Sequence, residues 1–253
     1  MRIIPKTEAE LELMRHSGKI LQAAQEAMKA EIKAGVTFKQ LDAIAEKVIL
    51  EAGAKPAFKG VPGMKFPFPA TICAMRNDEI VHGIPDDNPL EDGDLITIDC
   101  GAIWKGYYSD AAFSLIVGGD DKNPERAKFE KTVKKALMAG CAQAKAGNTT
   151  GDIGFAIQRI IQGAGYSICK EYTGHGLGKT LHEDPNVFNY GKPGKGVKLV
   201  EGMTIAIEPI VAMGNPRNKT LSNGWTVVTA DGSDACQWEH FGVVRKDGFE
   251  IFA

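Results

Sequence analysis

Two aspartates stand in apolar segments of the chain where a buried carboxylate is costly. The β-branched run Leu95–Ile98 follows a polar turn and predicts a buried strand that continues through Asp99. Asp110 precedes a second strand-like run, residues 111–117, and the intervening Lys105-Gly106 predicts a hairpin with both acids on one sheet. An uncompensated carboxylate in such a setting costs several kcal/mol. Because neither strand offers a lysine or arginine, we expect a metal ion to supply the compensating charge.

Three further candidate ligands lie in the second half of the chain. His175 stands between glycines, Glu208 occupies the apolar segment Thr204–Pro209, and Glu239 leads into the strand-like run Phe241–Val244. Oxygen ligands with one imidazole favour Mn, Fe, Co or Zn. Four ionised carboxylates and a neutral imidazole carry a charge of about −4, which matches two divalent ions, and without metal these acids would repel one another. Two adjacent ions can share carboxylates and activate a water molecule.

Two histidines stand in loop-like sequences that could face the same cavity. His82 is followed by Gly83-Ile84-Pro85, and His182 lies three residues before Pro185. An imidazole held in such a loop can donate a hydrogen bond to a substrate carbonyl or oxyanion. The alternative is a capping or packing role. Any single acid of this set could equally be a turn or strand-edge residue, but their joint occurrence in matched strand contexts favours a metal site.

The helices that position these residues are marked by their capping signals. Thr7-x-x-Glu10 and Thr37-x-x-Gln40 are capping boxes that begin two amphipathic helices. Pro124 suits the first position of a third helix, which we expect to continue to Gly147.

The chain also contains a long internal repeat. Ala34–Thr37 recurs as Ala146–Thr149, and the apolar positions that follow match at an offset of 112 residues. A turn glycine precedes Asp99 and Glu208 by six residues in each case. The pattern predicts an α+β fold made of duplicated helix-helix-strand halves with pseudo-twofold symmetry, in which four helices flank a central antiparallel sheet. Acids from both halves would then meet near the axis, unless the similarity is a chance recurrence of helix-capping signals.

Composition sets limits on what the protein does. The chain has 253 residues and a formal net charge of −2, so nothing indicates affinity for nucleic acid or membranes. Its five cysteines lack C-x-x-C spacing, which is typical of reduced thiols in a cytosol. No apolar signal region or membrane-spanning run is present in the sequence. We therefore expect a cytoplasmic protein.

The order Asp, Asp, His, Glu, Glu resembles that of the pita-bread metallopeptidases. The segments Asn77–Pro85, Thr173–Gly176 and Ile207–Pro209 resemble those of type I methionine aminopeptidases of bacteria, and the similarity covers nearly the whole chain. The resemblance implies the pita-bread (creatinase/aminopeptidase) fold in a single catalytic domain, residues 1–253, with halves of about 1–120 and 121–253. It also implies a monomer.

The resemblance further implies a role for each site residue. One metal ion would be bound by Asp99 and the other by His175 and Glu208, with Asp110 and Glu239 bridging both. Substrate contacts would come from His82 and His182, and Glu208 would shuttle a proton. The methionine side chain would be bound by Phe68, Cys73 and Trp225.

The implied reaction is removal of the initiator methionine from nascent proteins when the second residue is small, by a hydroxide that two divalent ions activate. The metals could be Co, Mn, Fe or Zn, and the partners would be nascent polypeptide N-termini at the ribosome. An X-Pro aminopeptidase or prolidase is an alternative on the same fold, although those enzymes usually carry an additional amino-terminal domain. A non-enzymatic pita-bread binding protein is another, against which the intact ligand set argues.

The sequence departs from the common bacterial pattern at two places. The segment Lys59–Pro69 is longer and richer in proline, which bears on the assignment of Phe68 to the pocket. Leu181 stands where many relatives have an aromatic residue, so we expect an aliphatic wall there.

Overall fold

The computed structural model describes residues 3–253 and contains two pairs of helices. The first pair is α1 (Glu8–Glu31) and α2 (Phe38–Glu51), and the second is α3 (Pro124–Cys141) and α4 (Thr150–Gly163). Capping boxes at Thr7 and Thr37 begin the first two helices, as the sequence predicts.

The expected extension of α3 to Gly147 is wrong, because the helix ends at Cys141. The backbone N–H of Ala146 donates to the carbonyl of Arg245, and that of Gly147 donates to the carbonyl of Leu199. These amides pair with another part of the chain, so residues 142–147 form turns rather than helix.

In the described part of the chain, fifteen strands and one 3₁₀ turn accompany the helices, and every pair of named strands is antiparallel. In the first half these are β1 (Lys55–Pro56), β2 (Ile72–Arg76), β3 (Glu79–Val81), β4 (Leu95–Trp104), β5 (Tyr107–Ile116) and the 3₁₀ turn Asp120–Lys122. In the second half they are β6 (Ser167–Ile168), β7 (Gly174–Gly176), β8 (Glu183–Val187), β9 (Thr204–Ile207), β10 (Ile210–Ala212), β11 (Asn218–Thr220), β12 (Val227–Thr229), β13 (Ala235–Gln237), β14 (His240–Val244) and β15 (Phe249–Ile251).

The hairpin β4–β5 carries the two aspartates. Lys105 and Gly106 connect the strands with φ values of 48° and 81°, the left-handed pair that a two-residue type I′ turn requires. Asp99 lies opposite Ala112, two residues from Asp110, so both acids point to the same face of the hairpin.

A five-stranded sheet in the order β15-β14-β9-β7-β8 carries the second-half ligands. His175 is the central residue of β7, Glu208 follows the last residue of β9, and Glu239 precedes β14. The N–H of Glu239 donates to the carbonyl of Ala112 on β5 at 3.0 Å. This bond joins the two ligand-bearing sheets at the site.

The helix pairs and turns recur in the two halves. Helices α2 and α4 each have 14 residues. Gly93 and Gly202 occupy equivalent turns two residues before β4 and β9, with φ values of 89° and 86°. One hydrophobic core contains residues from all four helices and both ligand-bearing sheets. The architecture is therefore α+β, with helix pairs packed on antiparallel strands, as the sequence predicts.

Candidate metal centre and active site

Three predicted ligands form a tight buried group. One ligand atom each from Asp110, His175 and Glu239 lies within 4.8 Å of the other two. They come from β5, from β7 and from the residue before β14, so three separate chain segments converge on one point. Such a group has the composition of a divalent-metal site.

The other two predicted ligands lie in the same cavity wall. Asp99 is beside Asp110 on the shared face of the hairpin. His175 Nε2 is 3.7 Å from Asp110 Oδ2 and 3.5 Å from Glu208 Oε1. A further residue, Gln237, donates from Nε2 to Glu208 Oε2 at 3.4 Å. The structure thus brings all five residues together around one space.

The carboxyl groups of this wall lack a compensating protein charge. Burial raises the pKa of Asp99 to about 7. The pKa values of Asp110, Glu208 and Glu239 are also raised, first by burial and then by the charges of neighbouring acids. Among residues 3–253, those that line the cavity include no lysine or arginine. Without a bound cation, the protein therefore disfavours the ionised form of these four acids, which would be ionised if they were exposed to water.

His175 is in the form that a metal ligand needs. Its Nδ1 is 2.9 Å from the carbonyl oxygen of Gly176, which can only accept, so Nδ1 carries the proton and Nε2 presents its lone pair to the acids. Burial lowers the pKa of His175 to about 4. The short distances to Asp110 and Glu208 are consequently not ion pairs, because the imidazole is neutral.

Unsatisfied oxygens show that the site fits a divalent cation. Within residues 3–253, Asp99 Oδ1, Asp110 Oδ1 and Glu239 Oε1 are buried without a hydrogen-bond partner. Three orphaned carboxylate oxygens in one cavity are exceptional, since buried polar atoms are nearly always paired. A bound divalent cation would satisfy these oxygens and the lone pair of His175.

An apolar wall stands opposite the ligands in a cavity of ≈ 340 Å³. The predicted pocket residues Phe68, Cys73 and Trp225 all line it. Phe68 and Trp225 meet edge-on with ring centroids 5.1 Å apart. Leu181 also lines the cavity, in agreement with an aliphatic wall at that position. The segment 59–69 therefore delivers Phe68 to the cavity.

The two predicted substrate histidines stand at the edge of this cavity, and each is partly exposed. The His182 ring centroid is 4.4 Å from that of His175. His82 adopts a left-handed φ of 58°, a strained conformation for a non-glycine residue that is typical of functional sites. A Cβ on Gly83 would lie 2.1 Å from the carbonyl oxygen of Ala74, so the next position requires glycine. The surrounding cavity walls partly desolvate both imidazoles and lower their pKa values.

Sequence reasoning missed several residues of the cavity. Phe58 and Val61 extend the apolar wall, and Tyr172 and Gln237 contribute polar groups. Tyr172 is three residues from His175 and Gln237 is two from Glu239, so proximity to the ligands was the available signal.

Glu183, the first residue of β8, is held by two hydrogen bonds. Its Oε2 accepts from Lys6 Nζ at 2.7 Å and its Oε1 accepts from the backbone N–H of Lys179 at 2.8 Å. These bonds fasten the loop that carries His182 to the chain just before α1.

Comparisons with known proteins identify the family of the chain. Residues 12–246 match the model of metallopeptidase family M24. The chain is 44% identical to a methionine aminopeptidase of Clostridium acetobutylicum, with 98% of each chain covered. A crystal structure of methionine aminopeptidase from Rickettsia prowazekii superposes with a TM-score of 0.93 at 36% identity, covering 99% of each chain. The prolidase of Pyrococcus horikoshii gives a TM-score of 0.77 at 26% identity, and the match covers 98% of this chain and 63% of the prolidase.

The chain therefore belongs to metallopeptidase family M24, whose pita-bread fold it shares. Within that family, the relatives that match it over their full lengths are methionine aminopeptidases. Among the described residues, no helix is long and apolar enough to cross a membrane.

Proposed function

We propose that this metallo-aminopeptidase removes an N-terminal methionine from polypeptides whose second residue is small. The proposal is supported by one observation: a carboxylate-imidazole cluster and an apolar wall line the same cavity. The cluster suits hydrolysis of an amide bond, and the wall suits an unbranched apolar side chain.

The proposed metal centre uses the five converging residues. Asp99 would hold one ion and His175 with Glu208 the other, and Asp110 and Glu239 would contribute to both. The charge of the cluster matches two divalent ions, and its donor atoms suit Mn, Fe, Co or Zn. Such ions, when bound, polarise the scissile carbonyl and lower the pKa of water.

Protein groups supply the remaining chemistry. We propose that His182 donates a hydrogen bond to the oxygen of the scissile carbonyl as negative charge develops on it. Glu208 lies beside His175 and can accept a proton from the attacking water and return it to the leaving amino group. His82, on its strained backbone, holds the substrate peptide against the cluster. The walls exclude bulk water from the reacting bond.

The apolar wall accounts for the choice of the first residue. The faces of Phe68 and Trp225 with the sulfur of Cys73 suit a thioether, and a methionine side chain adapts readily to an irregular pocket. The scissile bond must lie between the ligands and His182, so the second residue meets a crowded wall and must be small.

Cellular context and domain organisation are part of the same proposal. We place the enzyme in the cytoplasm as a monomer that acts on nascent polypeptide N-termini at the ribosome. We further propose that residues 1–253 form one catalytic domain of two related halves, about 1–120 and 121–253. The equal lengths of α2 and α4 and the core that the halves share support this division.

A substrate comparison tests the proposal against the prolidase alternative. Metal-reconstituted enzyme should release methionine from Met-Ala-Ser and leave an X-Pro dipeptide intact. Preferential cleavage of the X-Pro substrate would replace the proposed function with that of a prolidase. Tight metal binding without hydrolysis of either peptide would indicate a binding protein on the same fold.

A further inference from the structure

A second cavity adjoins the catalytic pocket across three aromatic side chains. His82, Tyr172 and Trp225 line both the catalytic cavity and this neighbour, which has a volume of ≈ 560 Å³. The His82 ring meets those of Tyr172 and Trp225 edge-on, with centroid distances of 6.3 Å and 6.2 Å. We call the second cavity the outer groove. Its lining is Pro62, Gly63, Met64, His82, Tyr172, Thr220, Gly224, Trp225 and Val227.

Specific contacts fasten the two loops that form the outer groove. Lys65 Nζ donates to the carbonyl of Ser222 at 2.6 Å, and Trp225 Nε1 donates to the carbonyl of Phe66 at 3.1 Å. A Cβ on Gly63 would lie 2.2 Å from Trp225 Cζ2, so the loops approach as closely as they do only because this position is glycine. The groove is thus a built feature of the two loops that contain Lys65 and Trp225.

The rim of the outer groove presents apolar surface to solvent. The side chain of Met64 is 100% exposed, and that of Phe66, two residues on, is 39% exposed. A fully exposed methionine gains nothing from packing within the chain, and contiguous apolar surface beside a groove is a feature of ligand-binding sites. Its flexible thioether suits contact with apolar side chains of varied shape.

The position of the outer groove indicates its occupant. A polypeptide whose first residue fills the apolar pocket can leave the cavity past His82, Tyr172 and Trp225, which line both cavities. It advances about 3.3 Å per residue when extended. Thr220, in the groove wall, belongs to β11, an edge strand of its sheet. Edge strands offer backbone groups to an extended peptide. Resting on the proposed function, we propose that the outer groove binds the third to fifth residues of the substrate polypeptide and favours apolar side chains there.

Two pentapeptides of equal length test this proposal with metal-loaded enzyme. Met-Ala-Leu-Val-Leu should be cleaved with a kcat/KM about tenfold above that of Met-Ala-Ser-Gly-Ser. The gain should come mainly from a lower KM, because the groove partly buries the apolar side chains. Met64→Ser, which removes the apolar rim, and Thr220→Arg, which fills the groove, should each reduce this ratio to about threefold or less. The matched control is Met138→Ser on α3, because Met138 is also exposed (45%) and lies outside the groove. It should keep the wild-type ratio.

A binding measurement separates this proposal from the proposed function. Both pentapeptides, with the first peptide bond reduced so that it cannot be hydrolysed, are titrated calorimetrically into wild type and variants. The apolar peptide should bind wild type about tenfold more tightly, and Met64→Ser should lose most of that preference. Equal affinities in wild type, or the same preference in Met64→Ser and Met138→Ser, would overturn the groove assignment. An enzyme that binds with the expected preference but cleaves neither unmodified peptide would refute the proposed function alone.

Discussion

Replacing His182 by alanine isolates its contribution to the chemical step. His182 lies in a loop at the edge of the cavity and is partly exposed, so its removal should change the free energy of unfolding by less than about 0.5 kcal/mol. Its neutral ring can donate one hydrogen bond to the developing oxyanion, and loss of such a donor costs about 2.7–4 kcal/mol in the transition state. We therefore expect kcat on Met-Ala-Ser to fall by about 10²- to 10³-fold while KM stays nearly constant.

The assay is steady-state release of methionine from Met-Ala-Ser, with metal content measured on the same samples. His16→Ala provides the matched control, since His16 is an exposed histidine on α1, far from the ligands in sequence and absent from the catalytic cavity. A fall in bound metal in His182→Ala would make this histidine a ligand and refute the assigned role. An unchanged kcat with a raised KM would show that it binds substrate without stabilising the transition state.

Five other perturbations have defined outcomes. Chelation should abolish activity and lower Tm. In a metal titration, Asp110→Asn should weaken the binding of both ions, whereas Asp99→Asn should weaken mainly the binding of one. Trp225→Ala should lower kcat/KM on Met-Ala-Ser with metal content unchanged, and a variant as active as wild type would remove this residue from the pocket. Burial raises the folded-state pKa of Glu79 to about 7 from an ordinary value of 4.5, so its contribution to stability is lost as pH rises through 7. Glu79→Gln should therefore exceed wild type in unfolding free energy at pH 8 by about 1–3 kcal/mol and by much less at pH 5, as denaturant titrations at both pH values would reveal.

Much of the metal centre follows from the sequence because its residues violate ordinary burial rules. Asp99 and Glu208 are acids within apolar runs, and no other residue of their strands compensates their charge. The type I′ turn at Lys105-Gly106 fixes the register that places Asp99 and Asp110 on one face. Helix starts were equally accessible, since a capping box is a local signal.

What the sequence did not supply depends on contacts between distant segments. After α3, the backbone N–H groups of Ala146 and Gly147 donate hydrogen bonds to carbonyls far along the chain, so the helix does not continue to these residues. Gln237 reaches Glu208 only because β13 and β10 pair. Glu183 is held by Lys6, which is distant from it in sequence. The outer groove likewise forms where two loops pack together, and no local sequence pattern predicts that contact.

The most direct test of the central claim is a metal titration of the apoenzyme, read as methionine released from two tripeptides. With Met-Ala-Ser, release should be absent without metal and should rise as ions bind, while Met-Arg-Ser should remain uncleaved at every metal concentration. Release that is independent of metal would contradict the assignment of the carboxylate-imidazole cluster as the catalytic centre. Equal cleavage of both peptides would contradict the selection of a small second residue.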